Sequence, residues 1–278
     1  MIQPPDMSPP AHHTNYVFDE FADDYDKSFT NSWIGKKQRK QVWNFLDRYV
    51  DPLITKSVLE INCGTGEDAC YLSIKGHQVI ASDISSSMLS IANAKKTKRR
   101  IQNLEFIQSD MRSVDTGLDD SSVDLIFSNF GGINCISPED IRSLSSGFRR
   151  ILKKNGRIIL VVMSRKCLWE RVYFKAKGKK QEAIRRRSDK SISAAIGSGS
   201  QEVWYYSPRE IVELFCGEFI AGKIRPIGLF IPPSYLEKAI EGKGIVKRTL
   251  SVLEKLFENV SILSDYADHY LIEFKKKS

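Results

Sequence analysis

Residues 60–69 read EINCGTGEDA, a glycine turn able to hold a ligand at the start of a helix. Gly64, Gly66 and Ala69 satisfy the dinucleotide fingerprint, which ends in Gly or Ala, so the shortest match points to NAD(P) and to an oxidoreductase or epimerase-like protein. The neighbouring side chains point elsewhere. A pyrophosphate sits on the positive end of a helix dipole, yet here the first helical turn carries Glu67 and Asp68, and Glu60 lies at the end of the preceding strand. Three acids around one turn suit a cationic ligand that has no phosphate.

S-adenosyl-L-methionine is such a ligand, with an adenosine, a positive sulfonium and an amino-acid end. The chain resembles the class I, Rossmann-like S-adenosylmethionine-dependent methyltransferases at four places. Their first motif, an acid followed by alternating glycines, reads Glu60, Asn62, Gly64 and Gly66, with Asn62 in place of the first glycine. Asn tolerates left-handed backbone angles better than most residues, so the turn survives the exchange. The resemblance further implies that Asp83, closing QVIASD, meets the ribose hydroxyls, that Asp110 and Met111 meet the adenine, and that Asn129 and Phe130 of SNFGG lie beside the methionine end and the methyl group. The segment FDEFADDYD (18–26) resembles the amino-terminal helix that folds over the cofactor in this family, with Tyr25 approaching the methionine end. S-adenosyl-L-methionine is then the methyl donor and S-adenosyl-L-homocysteine the product. The resemblance covers residues 57–164 well.

These residues need strands that end at one edge of a sheet. SVLEIN (57–62), QVIASD (78–83), LEFIQSD (104–110), VDLIFSN (123–129) and RIILVVM (157–163) read as buried strands. Between them lie helical stretches after the glycine turn, at 86–96, and from Ser137 and Pro138 to Gly156 on a stripe of Ile141, Leu144, Phe148 and Ile151. A further stripe of Val42, Phe45, Leu46 and Tyr49 predicts a helix before the first strand. Strands alternating with helices imply a mostly parallel sheet with right-handed crossovers. IRPIGLFI (224–231) and DHYLIEF (268–274) supply two closing strands. The expected fold class is α/β: a Rossmann-like, seven-stranded, mostly parallel sheet with helices on both faces, an antiparallel last strand and helical insertions.

The expected organisation is an amino-terminal helical cap over 1–50, a cofactor-binding core over 51–164, a basic helix-like insertion over 165–206 acting as a mobile lid with glycines at 178, 197 and 199, and a carboxyl-terminal part of the core over 207–278 with a helical insertion at 235–262. Trp169, Trp204 and Tyr206, with Phe130, are the candidate lining of an acceptor pocket. Methyl transfer is an in-line displacement at an activated carbon, so it needs alignment and a dry pocket and no protein nucleophile; no catalytic residue is assigned. His269 beside Asp268 invites a general-base role. It is read as structural, because the last strand of this fold is expected to run on the far side of the sheet from the methyl group.

The longest apolar run, IILVVM, is about a third of a bilayer span, and the start of the chain lacks the features of a secretory signal. Five cysteines without a CxxC pair predict neither a disulfide framework nor a metal site, and a reducing, cytoplasmic home. Lys plus Arg exceeds Asp plus Glu by 42 to 34, concentrated in AKKTKRR, in residues 175–190 and in the terminal KKK. An NPPY-like sequence is missing after the fourth strand, no cysteine stands in a Pro-Cys context, and no aromatic ladder interleaves the basic runs, so nucleic acid is the less favoured partner. A small organic molecule is the expected acceptor, with RNA or protein as the second reading.

Overall fold

The computed structural model describes residues 17–50, 53–196 and 199–277. His12 and His13, to which the sequence assigns no role, lie outside them, as does the glycine at 197. In chain order come α1 (Val17–Tyr25), a π-helical turn (Asp26–Thr30), α2 (Trp33–Leu46), β1 (Ser57–Ile61), α3 (Glu67–Ile74), β2 (Gln78–Asp83), α4 (Ser86–Lys98), β3 (Leu104–Gln108), β4 (Val123–Ser128), α5 (Pro138–Ile151) and β5 (Leu152–Met163). They are followed by α6 (Leu168–Ala176), β6 (Ile192–Ile196), β7 (Gly199–Val203), α7 (Pro208–Phe215), β8 (Phe219–Ile227), α8 (Glu237–Ile240), α9 (Gly244–Phe257) and β9 (His269–Lys276).

Seven strands form one sheet in the order β3-β2-β1-β4-β5-β9-β8. Every pairing from β3 to β5 is parallel, whereas β9 runs antiparallel to both β5 and β8. The central strands β1, β4 and β5 are apolar over most of their buried length because helices cover both faces. On one face α5 and α7 contribute Ile141, Leu144, Phe148, Ile211 and Phe215 to the core; on the other α2, α3 and α4 contribute Val42, Phe45, Leu46, Leu72 and Leu89. Ser137 and Ser207 each close a capping box, with Asp140 and Glu210 respectively, and Pro138 and Pro208 supply the first helical φ angle. The switch in strand order at β1 and β4 opens the crevice in which an α/β sheet holds its ligand.

Several elements differ from the sequence reading. Helix α5 stops at Ile151, five residues before Gly156, because Leu152 already pairs with Val123 across a register shift. Helix α2 begins at Trp33, where Ser32 caps it by accepting from the Gly35 amide; the basic run GKKQRK hides that start. Strand β8 starts at Phe219 and ends at Ile227, since Gly228 turns the chain at φ +70°. The insertion expected to be helix-like contains α6, a 3-10 turn over Glu182–Arg187 and an antiparallel hairpin of β6 and β7.

That insertion is also not a loosely solvated basic face. Arg186 is buried and donates to Glu170 and to both the carboxylate and carbonyl of Asp268, at 2.9, 2.9 and 3.0 Å. Arg185 forks onto the same Glu170 at 2.8 and 3.2 Å. The insertion is thereby tied to the chain immediately before β9.

Candidate functional site

A cavity of about 370 Å³ opens where β1, β2, β3 and β4 end. Its floor comes from the four loops: Asn62 and Gly64 after β1, Asp83 and Ile84 at β2, Ser109 to Arg112 after β3, and Asn129 to Gly132 after β4. Val17, Phe18 and Tyr25 of α1, Met88 of α4, Gln201 of β7, and Cys135 and Ile136 add to the wall. Helix α1 is held there by Asp19, which accepts from the Ser85 hydroxyl at 2.5 Å and the Ser87 amide at 3.1 Å.

The glycine turn has the left-handed geometry its sequence requires. Asn62, Gly64 and Gly66 have φ of 50°, 53° and 72°. The Asn62 side chain accepts from the Ser128 hydroxyl at 2.7 Å and donates to the Asn129 carbonyl at 3.2 Å, which locks β1 to β4. The Asp83 carboxylate accepts from the Gly64 amide at 2.8 Å and the Ser85 amide at 3.0 Å. Burial pushes Asp83 above the usual carboxylate range, while those two amides pull it back. Burial also works to raise Asp110, but the Arg112 guanidinium and amide hold it below its ordinary value. Burial pushes the Tyr25 hydroxyl and the Cys135 thiol each up to about 12, so both are neutral at physiological pH.

Of the residues singled out in the sequence, Tyr25, Asn62, Gly64, Asp83, Asp110, Met111, Asn129 and Phe130 line this one cavity. Others are placed elsewhere. Glu60 is buried beneath the turn, with Oε2 lacking a hydrogen-bond partner; burial and the neighbouring Asp68 push it well above its ordinary value. Gly66 caps α3, and a Cβ there would stand 2.6 Å from the Phe106 ring and 2.8 Å from Ala92, so it serves the close packing of helix on sheet. Glu67 faces Arg99 and Lys95, at 2.9 and 3.6 Å. Asp68 is buried, accepting from Arg39, Trp43 and Asn129 at 3.0, 2.6 and 3.0 Å. The acids of the first helical turn are thus neutralised by their own cations and do not face the ligand, which removes the sequence-level reason for excluding a phosphate there.

Trp169, Trp204 and Tyr206 do not line the cavity. Trp169 donates its ring N–H to the Leu229 carbonyl at 3.0 Å, Trp204 packs on the core, and buried Tyr206 donates to the Ile136 carbonyl at 2.7 Å. His269 does not lie on the far side of the sheet, the ground on which it was read as structural, although it does not line the cavity. Because β9 runs antiparallel, its first residue pairs with Met163 at the ligand edge, and the imidazole packs edge-on against the Phe130 ring at 5.5 Å. Sequence reasoning missed Arg39, whose guanidinium joins Asp68 and covers the rings of Phe29 and Phe130 at 5.7 and 5.3 Å. It also missed Ile84, Met88, Cys135, Ile136 and Gln201 in the wall. Ile84 could have been found from its place directly after the strand-ending acid.

Residues 58–156 match the family described as a methyltransferase domain. A demethylmenaquinone methyltransferase from Lactococcus lactis subsp. lactis is 30% identical over 156 residues, 55% of this chain and 59% of that protein. The tRNA 5-carboxymethoxyuridine methyltransferase of Escherichia coli (strain K12) is 30% identical over 112 residues, 39% of this chain and 42% of that protein. The chain spans about half the length of these curated relatives. Among solved structures, the PH0226 protein from Pyrococcus horikoshii OT3 superposes with a TM-score of 0.59 at 18% identity, covering 91% of this chain and 99% of that one. The geranyl diphosphate C-methyltransferase from Streptomyces coelicolor A3(2), solved with Mg2+, geranyl diphosphate and S-adenosyl-L-homocysteine, gives 0.53 at 15% identity, covering 99% and 91%. These two likenesses concern the fold.

Proposed function

We propose that the chain is an S-adenosyl-L-methionine-dependent methyltransferase acting on a small organic acceptor. The observation that carries this reading is the charge of the cavity wall. Among the described residues its charged members are Asp83, Asp110 and Arg112, and Arg112 is bonded to Asp110. Such a wall favours a ligand with a cationic centre and a diol and disfavours a pyrophosphate.

The residues present fit that cofactor. Asp83, fixed by two amides, keeps lone pairs for ribose hydroxyls; Met111, Ile84 and Met88 form an apolar slot for a purine beside Asp110. Asn62, Gly64, Asn129 and Tyr25 surround the remaining end, and Phe130 stands toward the acceptor side. When bound, the cofactor supplies a methyl group already activated by positive sulfur. The protein aligns the acceptor and excludes water with α1 and the β6–β7 hairpin. Cys135, held as a thiol, is not asked to act as nucleophile.

Calorimetry with S-adenosyl-L-methionine, S-adenosyl-L-homocysteine, NAD and NADP tests the donor site: binding of the first two at micromolar levels and of neither dinucleotide is expected. Tight dinucleotide binding without a response to the methyl donor would return the chain to the oxidoreductase or epimerase-like reading. A labelled methyl donor incubated with a metabolite extract, and separately with total RNA, identifies the acceptor class; label in the RNA fraction alone would reject a small acceptor.

A further inference from the structure

Helix α9 carries an apolar ridge on its outer side. At about 100° per residue, Ile245, Thr249, Val252 and Leu256 fall within about 60° of one another. Ile245 is 86% exposed, Val252 53% and Leu256 68%, and Ile262 in the turn that follows is 80% exposed. The Thr249 hydroxyl is turned back to the Ile245 carbonyl at 3.1 Å, so it does not interrupt the ridge.

The roll of the helix is fixed by its opposite side. Buried Glu254 accepts from four successive amides, those of Gly228, Leu229, Phe230 and Ile231, at 3.0, 3.2, 2.6 and 2.9 Å. Leu250 packs on the cluster of Ile34, Ile231 and Ile240. Rotating the ridge inward would strand that carboxylate and the four amides, so the apolar residues stay outside. An apolar stripe held outward by a buried anchor marks an interaction surface.

Its charges select the partner. Lys238, Lys243, Arg248 and Lys255 are exposed along residues 237–262, against Glu241 as the exposed acid; Glu258 is half-buried, Glu254 is consumed by the four amides, and Glu237 accepts from the Trp33 and Ile34 amides and pairs with Lys247. At about 100° per residue Arg248 and Lys255 both border one side of the ridge. The whole chain carries a formal charge of +8. A second copy would bring two cationic flanks together with few acids to meet them. A surface with an apolar interior and an anionic skin satisfies both features. We infer that α9 docks the protein on anionic lipid bilayers, lying in the interface with Ile245, Val252, Leu256 and Ile262 among the acyl chains.

The test is sedimentation of the full chain with vesicles of phosphatidylcholine alone and of phosphatidylcholine mixed equally with phosphatidylglycerol, at low and physiological salt. Partition onto the mixed vesicles, weakened by salt, is expected. The pair Ile245→Asp and Leu256→Asp should lower it at least about tenfold, and Arg248→Ser with Lys255→Ser about tenfold or more at low salt, all with unchanged melting because these sites are exposed. Absence of partition, or partition untouched by the Asp pair, overturns the inference. So does self-association that the Asp pair abolishes without any lipid binding, which assigns the ridge to a second copy. Calorimetry of the methyl donor on the same preparations reads a separate property, so lipid docking and the donor site stand or fall independently.

Discussion

The amide of Gly64 donates to Oδ2 of Asp83 at 2.8 Å, so the carboxylate that closes β2 also holds the glycine turn that follows β1. With the Ser85 amide on Oδ1 at 3.0 Å, the side chain is fixed before any ligand arrives. Two strand ends are welded into one surface by a group that keeps accepting capacity toward the cavity.

Asp83→Ala is therefore expected to weaken S-adenosyl-L-methionine binding by about 1.5–3 kcal/mol, or roughly ten- to a hundredfold, measured by calorimetry. The fold should survive, with a stability loss of about 1–3 kcal/mol from the amides left without their acceptor. Unchanged affinity in this variant would place the ribose elsewhere.

Glu60 should behave as a burden on the fold and not as a ligand group. Burial, then Asp68, raises its pKa well above the ordinary 4.5, so the folded chain keeps a proton that the unfolded chain releases. Stability from this group is thus highest below the unfolded value, falls as pH rises through it, and levels off once the pH passes the raised folded value. Glu60→Gln should flatten that decline and leave the variant more stable than the parent at neutral pH, as denaturant titrations at acid and neutral pH would report. Cofactor affinity should stay within about threefold of the parent, because Glu60 does not line the cavity. A large loss of affinity would restore the role that the resemblance implied for it.

The two glycines of the turn separate by what surrounds them. Gly64→Ala meets nothing closer than a Tyr25 ring carbon at 4.0 Å, so it carries mainly the strain of φ +53°, about 1–2 kcal/mol. Gly66→Ala adds a collision with Phe106 and Ala92 to φ +72°, and should lose about 1–3 kcal/mol more. Thermal melting of the two variants tests the order.

Four of the five parallel strands were legible because their apolar residues are buried, and edge strand β3, which is mostly half-buried, from its Leu, Phe and Ile; the helix starts were legible because Ser137 and Ser207 announce themselves as caps. The strand-end positions of Asp83, Asp110 and Asn129 followed from the same pattern. The neutralisation of Glu67 and Asp68 did not, because Arg99 and Arg39 are supplied by other helices and pair only after folding. The β6–β7 hairpin was hidden because its strand sequences, ISAAI and GSQEV, carry mostly small and polar residues and show no apolar alternation. His269 was misplaced although the antiparallel last strand was expected, because its position follows only from the register with β5, which pairs the first residue of β9 with Met163 at the cavity edge.

The basic run at 185–187 illustrates the same limit and yields the sharpest stability contrast. In sequence its three arginines are equivalent, and a surface role such as steering an acidic acceptor would treat them alike. In the fold Arg187 is exposed, Arg185 is shared between Glu170 and solvent, and Arg186 is buried between Glu170 and Asp268. Arg186→Ser takes the guanidinium away from buried Asp268 and leaves Glu170 with Arg185 alone, which should destabilise the protein by about 3–5 kcal/mol, whereas Arg187→Ser should change stability by less than about 0.5 kcal/mol. The loss should also loosen the insertion at the cavity, because its hairpin reaches the wall through Gln201 and the Trp204 amide donates to the Asn134 carbonyl at 2.8 Å. Turnover in Arg186→Ser is then expected to fall further than donor affinity, since the residues assigned to the cofactor sit on the strand ends, α1 and α4 and not on the insertion. Equal melting temperatures for the two variants would make the run a solvated basic face.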